Sequence, residues 1–483
     1  MTATSAPVAA EPHRVAARQM VKLGIPLLIG AFSAAMAGIV DTAMMGRYGA
    51  AHLAAVSGGS AIFDIFSGIV LASAVGHQIL SARFTGREDP AGIRRSLQAS
   101  AWFCGGIAAL LTVVCLAGGG FLMSLVSGGD AELEDLGSGY LGARAPTLIA
   151  LVAYALLAAI FNAYQRPRLA MVAALVANAV NLVLDWALIY GPGPFPELGA
   201  IGNGLATTVS WLVAVGCLLV AARRFGLVAL LRRPPLDEPV DFPTSVPRLG
   251  WPAIVSMALD YSSVAIFFAI LGGIGEATLA GGRIAFEVLL LLFSVGGAFA
   301  AGGRILIGRS VGAGQIGQAR TLWRTSQVVL LLPAVALGTA LAVLAAPVAR
   351  LFTSFPGVVD AAAGALPLVA LCLPLMAWTL GNVSALRALG HTRWDMYGNL
   401  VAGIVVQLPL AWMLVHLADL GIVGAYLGVV GYWLARAGLT ELLVAGPYAR
   451  WPSGMETNLR EPPVWTGRSQ PASGLSTPNM TER

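Results

Sequence analysis

The sequence predicts an all-α integral membrane protein with twelve transmembrane helices in two six-helix lobes, related by a pseudo-two-fold axis along the membrane normal. Three observations lead to this prediction. The residues are 57% hydrophobic and only 11% charged, and the mean hydropathy is +0.78. Twelve apolar segments have the length of a membrane-spanning helix, and residues 23–94 recur later in the chain at an offset of 226. A soluble core cannot absorb so many apolar residues, so most of the protein faces lipid or other helices.

The twelve apolar segments divide evenly between the halves of the chain, and each can cross a hydrocarbon core of about 30 Å as a helix. In the first half they lie at about 20–46, 51–80, 96–123, 138–164, 168–190 and 200–222. In the second half they lie at about 248–272, 277–303, 322–347, 360–386, 394–415 and 420–445. The first segment is too long for a removable signal peptide and lacks a small-residue cleavage site at its end.

The second half of the chain repeats the first. Matched pairs include Pro26 and Pro252, Gly76 and Gly302, and Gly86 and Gly312. Two halves with an even number of helices each point the same way in the membrane, which is typical of transporters. The halves differ chemically, because Asp41 lies in an apolar segment and its counterpart is Phe267.

The loops define the domain boundaries and the orientation. We predict an N-terminal arm (1–19), an N-lobe (20–224), a proline-rich linker (225–247), a C-lobe (248–446) and a disordered polar tail (447–483). Basic residues concentrate in alternate loops, so the positive-inside rule places the arm, linker, tail and both termini in the cytoplasm. The net charge of +5 reflects this pattern and indicates no nucleic-acid partner. We expect a multi-pass monomer in the bilayer of the inner (plasma) membrane.

Polar residues of the first lobe are predicted to lie at similar depth. At a helical rise of 1.5 Å per residue, Asp41 lies about 30 Å and Asp185 about 25 Å from the cytoplasmic ends of their helices. Thr207 lies about 12 Å inward from the opposite side. Asn178, Asn181 and Asp185 share one helix face at the spacing i, i+3, i+7. An ionised Asp at the centre of a membrane helix costs about 3 kcal/mol, so these carboxyls are expected to have a function.

This group predicts a site that couples transport to a cation or proton. Burial and a second carboxyl nearby both favour protonation of one Asp near neutral pH. A static network that only fastens helices together is the alternative. Both H⁺ and Na⁺ remain open; sodium, if used, would bind at Asp41, Asn181, Asp185 and Thr207. We expect no other metal and no cofactor.

The second lobe has weaker candidates for residues that couple transport to a proton or cation. Asp260 and Glu287 lie near the midplane, and Arg283 precedes Glu287 by four residues, so an intrahelical ion pair is favoured for Glu287. Asp260 either takes part in coupling or neutralises Arg283. Asp64 in the second segment is a further, weaker candidate of this kind.

Pro26 interrupts the first helix about one turn inside its cytoplasmic end. It removes a backbone hydrogen bond and permits a bend on the helix that carries Asp41. A static kink is the alternative to a moving hinge.

Several motifs resemble those of the multidrug and toxic compound extrusion (MATE) transporters. Pro26 followed by Val40-Asp41-Thr42-x-Met44-Met45-Gly46 is similar to the first-helix signature of that family. Further resemblances are found in Asn181-Leu-Val-Leu-Asp185, Gly202-x-x-Leu205-Ala206-Thr207 and Leu386-Arg387-Ala-Leu-Gly390. The resemblance extends over about residues 18–447, in order and at matching spacing.

The resemblance implies a V-shaped pair of lobes that alternates between inward and outward openings, exporting cationic or amphipathic compounds in exchange for H⁺ or Na⁺. Asp41, Asn181, Asp185 and Thr207 match the first-lobe coupling site of the prokaryotic DinF-like branch, which this chain resembles most. Pro26 matches a proline where the first helix of relatives bends. Asp260 matches a second-lobe carboxylate of the NorM-like branch. Met376 stands where that branch has a second acidic residue, which favours the first lobe as the coupling site.

Three other functions remain to be weighed. A lipid-linked sugar flippase of the same superfamily would have a more cationic cavity, whereas Arg283 is the clearest deep basic residue here. A dedicated exporter of an endogenous metabolite fits the same residues, and a non-transporting membrane protein would not need the matched polar group of the first lobe. No enzyme activity is expected, because the sequence lacks a phosphate-binding glycine loop, a metal-ligand cluster and a nucleophile with a partnered base.

Overall fold

The computed structural model describes residues 10–231, 245–446 and Trp451. Within these ranges all regular elements are helices, and twelve stretches are long and apolar enough to cross a membrane. The predicted fold class is therefore confirmed. Residues 1–9 of the predicted arm, 232–244 of the predicted linker and the predicted tail apart from Trp451 lie outside the described residues.

The first six spans consist of eight helices, because the second and fourth spans are each divided in two. The helices are α1 (Ala10–Tyr48), α2 (Ala50–Ser73), α3 (Val75–Gly86), α4 (Pro90–Ser124), α5 (Ala131–Arg144), α6 (Thr147–Ala163), α7 (Pro167–Tyr190) and α8 (Gly199–Arg224). A short helix, α9 (Val228–Leu231), follows them. The fourth span breaks at Ala145 and Pro146, because a proline inside a helix removes a hydrogen bond and clashes with the preceding turn.

The second six spans have the same order. The helices of this half are α10 (Ser245–Gly272), α11 (Glu276–Gly312), α12 (Ile316–Val343), α13 (Ala345–Phe352), α14 (Pro356–Ala388), α15 (Thr392–Leu400), α16 (Leu408–His416) and α17 (Gly421–Val444). The short helix α13 lies between the third and fourth of these spans. A π-helical stretch, Val401–Gln407, joins α15 to α16 within the eleventh span. Pro409 lies two residues after it, and the wider π turn accommodates a residue that cannot donate a backbone hydrogen bond.

The ends of several helices follow from their capping residues. Asp89 caps α4 by accepting a hydrogen bond from the Gly92 amide at 2.7 Å, and Asp130 caps α5. Each such cap stabilises a helix by about 1 kcal/mol. Pro167 opens α7, and Gly191 ends it in the left-handed region at φ 61°.

Helix α1 begins at Ala10, earlier than the apolar segment from about residue 20 predicts. Residues 10–19 of the predicted arm are therefore part of the first helix. Ala16 and Met20 are buried against α11 and α12 of the second lobe, and His13 Nδ1 lies 2.8 Å from Thr325 Oγ1. These contacts extend the helix beyond the length that lipid alone would require.

The two lobes have separate cores, and they differ where the repeat predicts a difference. Phe267, the counterpart of Asp41, is fully buried in the second-lobe core. Its ring packs edge-to-face on Tyr426, with the centroids 5.4 Å apart. The position that is polar in the first lobe is thus an aromatic packing position in the second.

The lobes meet at glycines that the repeat pairs with each other. A Cβ atom on Gly86 would overlap the main chain of Arg309, and one on Gly312 would overlap the main chain of Arg83. These two contacts exchange under the 226-residue offset, which is the behaviour expected of a pseudo-two-fold axis. We call this end of the molecule, where α3 and α11 terminate, the arginine-rich end.

Candidate functional site

The structure brings together Asp41 of α1 and Asp185 of α7. The two carboxyls lie within hydrogen-bonding reach of each other. Asp185 is fully buried and Asp41 is half-buried. Two carboxyl groups can hydrogen-bond to each other only when one of them carries a proton. Two carboxyls at this separation can share one proton.

An amide of α8 lies beside both carboxyls. Asn203 Nδ2 donates a hydrogen bond to Asp185 Oδ1 at 2.9 Å, and its side chain also lies close to Asp41. Asn203 is buried, and sequence reasoning missed it. The available signal was its position four residues before Thr207, which places both side chains on one face of α8.

Asn181 lies one helical turn from Asp185, and its side chain is buried. Its Nδ2 has no hydrogen-bond partner among the described residues, and the same is true of Asp41 Oδ1 and Asp185 Oδ2. Such groups are costly to bury without partners, so the site has spare capacity to bind a proton or a small polar ligand.

The hydrogen bonds of the Thr207 and Asn178 side chains go to groups other than the carboxyl pair. The Thr207 hydroxyl donates to the Asn203 carbonyl at 3.0 Å, within α8. Asn178 Nδ2 donates to Ser33 Oγ on α1 at 2.5 Å. Asn178 shares a helix face with Asp185 but lies about 10 Å from it along the axis, which puts it at a different depth. The structure therefore does not place Asn178 with the predicted coupling group.

Arg144 ends α5 and faces the carboxyl pair. Its guanidinium interacts electrostatically with Asp41, Asp64 and Asp185. It donates to Tyr140 Oη and, at 3.0 Å, to Ser60 Oγ. Sequence reasoning missed this residue and named Arg283 as the clearest deep basic group. The signal was Arg144 directly before Ala145-Pro146, where a proline breaks an apolar span.

The second lobe contains a compact network of paired charges. Asp395 accepts hydrogen bonds from Arg387 Nε at 2.8 Å and from Arg436 Nη2 at 2.7 Å. Asp260 accepts one from Asn399 Nδ2 at 2.8 Å and interacts electrostatically with Arg436. Two carboxylates thus face three guanidiniums, those of Arg304, Arg387 and Arg436, whereas three carboxyls of the first lobe face that of Arg144.

The predicted pair between Arg283 and Glu287 is present. Arg283 Nε lies 3.0 Å from Glu287 Oε1, one turn along α11, and both side chains are exposed. The cations that face Asp260 are Arg436 and Arg387, so the alternative in which Asp260 neutralises Arg283 is wrong. Arg283 already has a partner on its own helix.

Pro26 lies inside α1, which continues through it to Tyr48. The proline borders a cavity of about 350 Å³ that is lined mainly by the first lobe and also by Arg304, Gly308 and Ala388 of the second lobe. We call it the first-lobe cavity. Tyr154 and Trp211 line this cavity with their rings in edge-to-face contact, 5.1 Å apart. Asn162 also lines it, and its Oδ1 is buried with no hydrogen-bond partner among the described residues. Alanine is the most frequent residue of the lining, so the cavity offers an apolar surface with a few polar groups.

Comparison with known families and proteins gives a consistent result. The family profile described as MatE matches residues 26–187 and 252–413. These two ranges are offset by 226 residues, the offset of the internal repeat.

Curated relatives match over most of the chain. The probable multidrug resistance protein NorM of Thermotoga maritima is 25% identical over 435 residues, covering 88% of this chain and 91% of the relative. The multidrug resistance protein MdtK of Pectobacterium atrosepticum is 27% identical over 427 residues, covering 86% and 91%.

Solved structures share the fold. An outward-facing structure of a multidrug resistance MATE family transporter of the MOP superfamily superposes with a TM-score of 0.79 at 19% identity. It covers 91% of this chain and 97% of its own. At this identity the likeness supports the architecture and not the details of a site.

Proposed function

Because the chain belongs to the MatE family of multidrug efflux transporters, we propose that it exports cationic or amphipathic small molecules in exchange for protons by alternating access. It is a membrane transporter and not an enzyme. The observation that carries the coupling proposal is the pair of carboxyls formed by Asp41 and Asp185 inside the first lobe.

The charges around this pair favour proton uptake. Among the residues that the structure describes, the guanidinium that faces Asp41, Asp64 and Asp185 is that of Arg144. If all three carboxyls were ionised, the cluster would hold two excess negative charges. Burying an uncompensated ion costs several kcal/mol even after relaxation. Binding of a proton removes part of that excess, so occupancy of the site follows the proton gradient.

The orientation of the amides favours H⁺ over Na⁺. Asn203 presents an N–H donor to Asp185, which suits a carboxyl pair that shares a proton. A sodium ion needs several oxygen ligands, and an N–H group pointed at the same carboxyl repels it. Asn181 adds a second buried amide nitrogen beside Asp185.

The contacts between lobes support an outward-facing state. Gly86 with Arg309, and Gly312 with Arg83, close the arginine-rich end. We place this end and both termini in the cytoplasm of a cell whose inner membrane holds the protein as a monomer, following the positive-inside rule. A proton entering from outside reaches the Asp41–Asp185 pair, the lobe rearranges and the substrate leaves. The inward-facing state then releases the proton.

The first-lobe cavity accounts for the class of substrate. Tyr154 and Trp211 offer aromatic surfaces for flat apolar rings and for cations, and Met171 adds a polarisable, adaptable side chain. Asn162 can accept a hydrogen bond from an amine or hydroxyl. A site of this kind selects by size and polarity more than by exact shape.

Dye efflux tests the proposal. Everted vesicles containing wild type or Asp41→Asn are given external ethidium under an imposed pH gradient, with and without Na⁺. Their cytoplasmic face is outside, so cellular efflux is measured as dye uptake into the lumen. We expect wild-type transport to need the pH gradient and not Na⁺, and the variant to lose it. Asp419→Asn, at an exposed loop position, is the matched control. Gradient-driven efflux that persists in Asp41→Asn contradicts the coupling site. Absence of any wild-type dye movement supports a flippase or a metabolite exporter instead.

A further inference from the structure

Asp64 of α2 lies at the boundary between the lobes. Asp64 is exposed to solvent, and its carboxyl interacts electrostatically with Arg144 of the first lobe and Tyr261 of the second. Tyr261 Oη donates to the Asp64 main-chain oxygen at 3.1 Å. The close approach of α2 and α10 holds this carboxyl next to Tyr261, a residue with 37% of its surface exposed. A carboxylate beside an accessible tyrosine is a site that a cationic ligand can enter.

Arg144 is held between Asp64 and the buried pair without binding either. Its hydrogen bonds go to Ser60 and Tyr140, and its guanidinium carbon lies 4.3 Å from the centre of the Phe63 ring. In the part of the chain that the structure describes, it forms no ion pair with Asp41, Asp64 or Asp185. Its Nε is buried with no hydrogen-bond partner there, as is Asp185 Oδ2.

We propose that Arg144 is the positioning residue that couples protonation of the Asp41–Asp185 pair to cation binding at Asp64. This inference rests on the proposed proton exchange. When the pair loses its proton, it gains a negative charge that attracts the Arg144 guanidinium. The negative charge of Asp64 is then left without compensation and binds the cationic group of a substrate. When the pair gains a proton, the positive charge of Arg144 acts on Asp64 and weakens the hold on that cation.

The other charged and titratable groups around Arg144 are consistent with this competition. Asp41 comes from α1, Asp64 from α2, Tyr140 from α5 and Asp185 from α7. From α10, Tyr261 interacts with both Asp64 and Asp260. One cation thus stands among three acids on three helices, so its effect on each acid depends on the charge of the others.

A purely structural role for Arg144 gives a different expectation. A guanidinium that only fastens α5 to α2 through Tyr140 and Ser60 would lower stability when removed. It would leave the dependence of substrate affinity on pH unchanged. The dependence on pH therefore separates the two roles.

The test measures ethidium binding to the purified, full-length protein in nanodiscs by fluorescence anisotropy, over a series of pH values around neutrality. For one proton competing with one cation, wild-type affinity falls by up to about tenfold per pH unit as the pH falls. Arg144→Gln should still bind ethidium, with a dependence on pH reduced to less than about twofold over the same series. Arg144→Lys keeps the charge and should restore most of the dependence. Arg283→Gln, the same change at an exposed arginine, should behave as wild type.

Asp64→Asn gives an independent readout that does not require the arginine variant to fold. Its ethidium affinity should fall by at least about tenfold, and its remaining binding should not depend on pH. Proton uptake by the Asp41–Asp185 pair, followed with a pH-sensitive dye in weakly buffered solution, should persist in this variant. A wild-type pH dependence in either Arg144→Gln or Asp64→Asn overturns the proposal.

The outcomes separate this inference from the function on which it rests. If wild-type binding does not depend on pH and Asp41→Asn binds as wild type, proton exchange at the pair is itself wrong. If wild-type binding weakens as the pH falls and Asp41→Asn loses this dependence, but Arg144→Gln keeps it in full, the pair couples to substrate by another route and only the role of Arg144 fails.

Discussion

Arg304 Nη2 donates a hydrogen bond to Gln78 Oε1 at 3.3 Å, and these two residues occupy equivalent positions in the two repeats. Residues that exchange under a two-fold axis can touch each other only near that axis. The pair therefore marks where the pseudo-two-fold axis passes between α3 and α11. It also borders the first-lobe cavity, so the contact lies between the cavity and the arginine-rich end.

Replacement of Arg304 by glutamine is expected to loosen the contact between the lobes at the arginine-rich end. A hydrogen bond with a charged donor contributes about 1.5 to 3 kcal/mol, and the nearby Arg387 offsets part of that by repulsion. Hydrogen–deuterium exchange of the ends of α3 and α11 should rise in Arg304→Gln. Arg283→Gln, which is distant from the axis, should leave this exchange unchanged. Equal exchange in both variants would show that the pair does not hold the lobes together.

The glycines at the arginine-rich end give a second test of the same closure. A methyl group on Gly86 or Gly312 meets the main chain of the opposite lobe, which cannot move aside as a side chain could. We expect Gly86→Ala and Gly312→Ala to fold but to lose the closed arrangement and most transport. Cross-linking of cysteines introduced at the ends of α3 and α11 measures the closure.

Gly106→Ala is the matched control, because a Cβ at that position meets nothing within 4 Å. Alanine there should preserve transport and stabilise α4 by up to about 1 kcal/mol, since glycine is a poor helix former. Transport that survives Gly86→Ala at the control level would mean that the lobes need not approach so closely.

Much of the fold followed from the sequence, while the site followed only in part. Hydropathy and the repeat predicted twelve spans in two lobes, and the family predicted from the motifs is confirmed by the MatE match. Helical rise gave the depth of Asp41 and Asp185, which the structure brings together. The periodicity of α7 gave the face of Asn178 correctly but not its partner, because a shared face extends over several depths.

Arg144 could not be placed from periodicity, since its position depends on a break in the fourth span. If the helix were unbroken through Ala145 and Pro146, the side chains before the break, including that of Arg144, would face a different direction. The partner of Asp260 was missed for a related reason. Arg436 lies far along the chain, on the last helix, and only tertiary packing brings its guanidinium to Asp260 and Asp395.

Removal of the Asn203 amide is expected to impair proton coupling. Asn203→Ala leaves Asp185 Oδ1 without its donor, so the carboxyl pair loses the group that orients it. We expect transport driven by a pH gradient to fall by about 10- to 100-fold, corresponding to about 1.4 to 2.8 kcal/mol. Asn178→Ala should keep the coupling, because Asn178 bonds Ser33, and should change the apparent substrate affinity through the cavity. Equal coupling defects in the two variants would contradict the separation of coupling site from cavity.

The paired charges of the second lobe are expected to serve stability more than coupling. Asp395 is buried between Arg387 and Arg436, with no excess charge for a proton to neutralise. Arg436→Met removes one partner and should lower the free energy of unfolding by about 3 to 5 kcal/mol, as breaking buried pairs does. Thermal unfolding in detergent measures this loss. Glu287→Gln breaks an exposed pair and should lower the free energy of unfolding by about 1 kcal/mol or less.

In Arg436→Met protein that remains folded, the ratio of ethidium exported to protons taken up should equal that of wild type. A changed ratio would give the second lobe a part in coupling, with Asp260, beside Arg436, as its first candidate.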